Sequence, residues 1–74
     1  PGSKYREEIM YMLFVSKYQM AVNSVEDKKV ERYNNAREEY YYFADEYPNS
    51  RYAADVKKMY EDIEAYLENY KFED

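Results

Sequence analysis

The sequence predicts an all-α fold, an antiparallel array of three helices in which a helical pair is followed by a closing helix. Three observations predict it. Only one Gly and two Pro occur in 74 residues, so the chain has few places to turn. Apolar residues recur at steps of three and four, the period of a helix with one buried side. The opening motif also returns once, 47 residues further on, when Pro48 takes the place of Pro1.

The first helix is expected from about residue 4 to 23, with Ser3 as its N-cap and Glu7 and Glu8 near the positive end of its dipole. Tyr5, Ile9, Met12, Ser16 and Gln19/Met20 make its core stripe. Met10, Leu13 and Phe14, with Val15, spread apolar surface round the rest of the helix. A helix apolar nearly all round packs on two sides. Met10, Leu13 and Phe14 are therefore expected to face a neighbouring repeat absent from this chain. A target-protein groove and a homodimer seam are the other occupants of that face.

A linker around residues 23–29 follows, unless Ser24 and Asp27 form a capping box and start the next helix earlier. The second helix, about 27–47, has the stripe Val30, Tyr33, Ala36/Arg37, Tyr40, Phe43/Ala44 and Tyr47. Pro48 ends it, because a proline has no N–H to give and clashes with the preceding turn. The third helix, about 51–71, is capped by Ser50 and buries Tyr52, Val56, Met59, Ile63, Tyr66 and Tyr70. Its other face, from Lys57 and Lys58 to Glu64 and Glu68, is charged and should close the stack.

The repeat is more than a shared proline. Pro1-Gly2-Ser3-Lys4-Tyr5 aligns with Pro48-Asn49-Ser50-Arg51-Tyr52, then Glu8 with Asp55, Ile9 with Val56 and Met12 with Met59. The agreement at Tyr5, Ile9 and Met12 holds whether Pro1 to Ser3 is native or a cloning remnant. A period of about 20–50 residues is that of stacked helical units. The whole of 1–74 reads as one such domain and as part of a longer repeat protein.

Composition excludes several function classes. The chain has no Cys and no His, so disulfides, thiol chemistry and the usual zinc sites are absent. The net charge is −5, with +2 on residues 1–37 and −7 on residues 38–74. Such a chain repels a phosphate backbone, which argues against nucleic acid. Adjacent carboxylates such as Glu7–Glu8, Glu38–Glu39 and Glu61–Asp62 diverge by about 100° on a helix and do not form catalytic pairs. No Gly-rich phosphate loop is present, and neither a cofactor nor a catalytic residue is assigned.

What remains is surface. In Tyr40-Tyr41-Tyr42-Phe43 only Tyr40 and Phe43 belong to the core stripe. Tyr41 and Tyr42 turn away, either half-covered by flanking helices or as an aromatic patch for a partner, rimmed by Arg37 and Glu38. Lys28, Lys29 and Arg32 form a basic cluster, read as a solvated turn or as a dock for an acidic surface.

Ala36-x3-Tyr40 followed by Pro48 resembles the close of a tetratricopeptide repeat, in which a small residue lets helices approach and an aromatic fills the gap. The front half departs from that pattern: Trp-x2-Leu-Gly-x2-Tyr is missing, and the period exceeds the usual length of about 34 residues. Tyr47-Pro48-Asn49-Ser50-Arg51-Tyr52-Ala53, after Tyr40-x2-Phe43, resembles the joining motif of BamD-type outer-membrane assembly lipoproteins. Ser16-Lys17-Tyr18 through Lys28-Lys29-x2-Arg32-Tyr33 is similar to Bacteroidetes-like members, so the likeness covers most of residues 1–70.

The resemblance implies a tetratricopeptide-like pair plus a closing helix from the C-terminal part of such a lipoprotein. It implies a non-catalytic scaffold at the periplasmic face of the outer membrane, held there by a lipid anchor outside this segment. The implied partners are BamA-like periplasmic domains and, through the parent protein, unfolded outer-membrane clients; self-association through the first helix is a further expectation. Two other readings stand beside it: another periplasmic tetratricopeptide adaptor of envelope complexes, and a helical-repeat accessory domain of a glycan-binding lipoprotein.

Overall fold

The computed structural model describes residues 2–71, with side chains from Lys4 to Tyr70. It contains three helices, α1 Gly2–Val22, α2 Glu26–Glu46 and α3 Ala53–Lys71, packed antiparallel in an array of 47 × 19 × 15 Å. No strand occurs among the described residues.

The expected first cap is Ser3. Backbone α1 is already helical at Gly2, which places Ser3 inside the first turn; its side chain lies outside the described residues. At the other end, Asn23 and Ser24 satisfy orphan carbonyls in place of a glycine. The Asn23 N–H and its side-chain amide both donate to the Gln19 carbonyl at 3.0 Å, and the Ser24 hydroxyl donates to that of Met20.

Because Ser24 faces back into α1, it cannot cap α2, and the capping box is absent. Val25 stands at that N-cap with extended backbone (φ −67°, ψ 157°) and no side-chain bond. The connection shrinks to residues 23–25, far shorter than the expected linker. Glu26 and Asp27 in the first turn of α2 complement its dipole instead.

Tyr47 closes α2 with its N–H on the Phe43 carbonyl at 2.8 Å, and Pro48 follows. Ser50 then organises the turn into α3. Its hydroxyl accepts the Tyr52 N–H at 2.9 Å and donates to the Glu7 carboxylate of α1. Helix α3 itself starts at Ala53, two residues later than the spacing predicts, because Arg51 and Tyr52 are spent on that turn.

The core is Phe14 and Ala21 from α1, Tyr33, Ala36 and Phe43 from α2, and Val56 and Ile63 from α3. Tyr40, Tyr47, Tyr52, Met59 and Tyr66 pack around it. Ala21 and Ala36 are fully buried, which keeps side-chain bulk low where helices meet. Three stacked tyrosine pairs bind α3 and the turn before it to the rest: Tyr52 on Tyr11 at 4.0 Å between centroids, Tyr60 on Tyr40 at 4.1 Å and Tyr66 on Tyr33 at 4.3 Å. Stacked rings bury apolar area while their hydroxyls stay at the rim, which suits a domain too small for a deep interior.

The face of α1 turned inward is not the expected one. Phe14 is 0% exposed, whereas Tyr5 is 71% and Met12 61% exposed. Met10, Tyr11, Val15 and Tyr18 pack beside Phe14. This face carries polar tips that find partners within the chain. Lys17 Nζ donates to Glu39 at 2.9 Å, and the Tyr18 hydroxyl donates to Asp62 at 2.7 Å.

Candidate protein-interaction surface

Tyr5, Ile9, Met12, Leu13, Ser16 and Met20 are all exposed on α1. At 100° per residue they fall within an arc of about 100°, roughly opposite Phe14. The stripe is about 22 Å long at the rise of an α-helix. From Ile9 to Val25 every exposed residue is uncharged. An uncharged apolar stripe of this length stands out on a chain with 36% charged residues.

The apolar face expected at Met10, Leu13 and Phe14 is exposed only at Leu13. Phe14 is core, Met10 is half-buried against it, and only Leu13 lies on the open side. Periodicity misassigned them because both sides of α1 repeat every three or four residues. The signal that separates them is the repeat: the exposed residues are those that align with the inner stripe of α3.

The aromatic run on α2 divides as follows. Tyr40 and Phe43 pack in the core region, and Ala36 is buried there with them. Tyr41 is exposed but leans edge-on against Tyr60, the two hydroxyls 3.4 Å apart. Tyr42 is exposed. Arg37 does not rim these two rings. Its guanidinium donates to Asn34 at 2.6 Å and reaches Glu64 of α3 at 3.5 Å, while Glu38 is exposed.

The basic cluster is similarly dispersed. Lys28 is exposed, Lys29 lies 5.8 Å from the centre of the Tyr66 ring, and Arg32 donates to the Ser24 hydroxyl at 2.8 Å. Two of the three cations are thus engaged inside the fold.

Several tyrosines hold their protons unusually tightly. Burial, then the hydrogen bond to Asp62, pushes Tyr18 up to about 12 from an ordinary 10.0. Burial, then the hydrogen bond to Glu26 at 3.0 Å, does the same to Tyr66. These shifts belong to helix-to-helix contacts rather than to chemistry. Among the described residues no group of acidic side chains could hold a metal ion, and no helix is long and apolar enough to cross a membrane.

The fold is an all-α array of three antiparallel helices with an open apolar face on α1. The family model for YfiO, an outer membrane lipoprotein, matches residues 1–73, and the chain belongs to that family. Its members are non-catalytic outer-membrane protein assembly lipoproteins of the BAM complex. No curated protein and no solved structure matches the chain significantly.

Proposed function

We propose that this chain is a rigid repeat segment of a scaffold that docks on the periplasmic domains of a BamA-type barrel and so supports insertion of β-barrel proteins. The observation that carries the reading is the exposed aromatic pair Tyr41 and Tyr42 on α2 of a chain of this family. Rigid helices gain affinity because little conformational freedom is lost when a partner binds. Helix α3 offers the opposite character, with Lys57, Lys58, Glu61 and Glu68 exposed, and closes the stack.

In this reading the chain is one repeat pair and a closing helix of a longer lipoprotein. Tyr41 and Tyr42, with Glu38 beside them, are the docking contact for the barrel protein, being large, exposed and on the opposite partner of the pair. Affinity isolation of the intact lipoprotein from its own envelope tests this. A BamA-type barrel should accompany it and be depleted by Tyr41→Ser/Tyr42→Ser without loss of helicity. An isolate free of the barrel would overturn the reading.

A further inference from the structure

Tyr41 of α2 and Tyr60 of α3 are the one pair of tyrosine hydroxyls within hydrogen-bonding reach of each other among the described residues, 3.4 Å apart. Their rings meet at an edge, with centroids 5.9 Å apart and planes at 60°. Tyr40 completes the cluster: it stacks on Tyr60 at 4.1 Å and stands 5.9 Å from Tyr41. Tyr41 is 49% exposed, so a small reagent reaches the cluster from solvent.

A phenol that loses one electron and one proton becomes a phenoxyl radical, whose unpaired spin is shared between the oxygen and the ring carbons beside it. Two such radicals join through those carbons. In the product both oxygens sit next to the new bond, so rings whose hydroxyls already meet need the least movement. The Tyr40–Tyr60 pair is different. Its rings lie face to face, with 10° between planes, and must swing apart before one bond can lie in the plane of both. A base is also at hand. Tyr60 is held well above its ordinary 10.0 by the Tyr41 hydroxyl and then by the Glu64 carboxylate. The same carboxylate can accept the phenolic proton on oxidation.

We propose that Tyr41 and Tyr60 form a site of oxidative cross-linking, in which a one-electron oxidant joins the Cε carbons of the two rings and staples α2 to α3. Each ring gives one electron to the oxidant and one proton to Glu64 or to water. The carbon–carbon bond forms, the two carbons that it joins pass their hydrogens to the ring oxygens as protons, and two phenols return. In total the chain loses two hydrogen atoms and two equivalents of oxidant are reduced. The link joins residues 19 positions apart and fastens the closing helix. With no Cys, the chain has no disulfide for that purpose. A carbon–carbon link constrains the unfolded chain in the same way.

The test is photo-oxidation of the 74-residue chain by tris(bipyridine)ruthenium and persulfate, at a dilution where it sediments as a monomer. The expected product is a monomer lighter by two hydrogen atoms, with dityrosine fluorescence. Trypsin should release the peptides 38–51 and 59–71 joined to each other, with the link at Tyr41 and Tyr60. Tyr41→Phe has no phenol to oxidise and should take the fluorescence to background. Tyr42→Phe, one residue on and also exposed, should leave it unchanged. Circular dichroism checks that both variants keep their helices.

The linked chain should melt about 10 °C higher than the unlinked one. A link mapped to Tyr40 or Tyr42, coupling only between chains, or an unchanged melting temperature would overturn the proposal. Every readout is made on the chain alone, so the docking proposal stands or falls separately.

Discussion

Tyr52 lies flat on Tyr11, with 4.0 Å between ring centroids and 10° between planes, so the turn after α2 is fastened to the middle of α1. The pair joins residues 41 positions apart. A stacked pair contributes about 0.5–1.5 kcal/mol beyond its area. A double-mutant cycle of Tyr11→Leu and Tyr52→Leu in urea should therefore give a coupling energy of about 1 kcal/mol. Strictly additive effects would mean that the rings do not stabilise one another.

The two faces of α1 should respond oppositely to substitution. Phe14→Ala removes a fully buried ring and should cost about 3–5 kcal/mol, enough to unfold much of a domain this small. Met12→Gln touches only the open stripe and should stay within about 0.5 kcal/mol. Thermal melts followed by circular dichroism separate the cases. A large loss at Met12 in a monomeric sample would place the stripe inside the fold.

Ser50 should matter more than its size implies. Its hydroxyl serves the Tyr52 N–H and the Glu7 carboxylate together, so Ser50→Ala removes a turn hydrogen bond and a link between α1 and the turn. The expected loss is about 1–2 kcal/mol, read as a lower urea midpoint with unchanged slope. Ser50→Thr, which keeps the hydroxyl, should recover most of it.

Alkaline pH should loosen the array. Tyr18 and Tyr66 keep their protons in the folded state up to about 12, while the unfolded chain loses them near 10.0. Below 10.0 both states are protonated and the stabilisation is complete; above it the unfolded state binds fewer protons, so stability falls with rising pH. The decline should run from about pH 10 to 12 and be shallower in Tyr18→Phe/Tyr66→Phe. An unchanged slope in that double variant would assign the alkaline loss to other groups.

Much of this was legible from residue spacing. Tyr33, Ala36, Tyr40 and Phe43 have one apolar face among polar neighbours, and α2 packs on it. The same holds for Val56, Met59 and Ile63 on α3. Helix α1 was different, because Tyr5-Ile9-Met12 and Met10-Phe14-Ala21 are both apolar stripes of helical period. Nothing local ranks one above the other. The cap at Ser24 failed because a serine before a helix is equally able to bond the turn behind it, and Ser24 does so.

By itself, then, the sequence determined three helices, their breaks near Asn23 and Pro48, the absence of thiol and imidazole chemistry, and the 47-residue repeat. All of these depend on local propensity, period and composition. Only the tertiary structure decided which face of α1 is spent on the core and which stays open. That choice rests on contacts far apart in the chain: Lys17 with Glu39, Tyr18 with Asp62, Tyr11 with Tyr52. A helix with two apolar faces turns inward the one whose polar tips find partners, and those partners are known only once the other helices are in place.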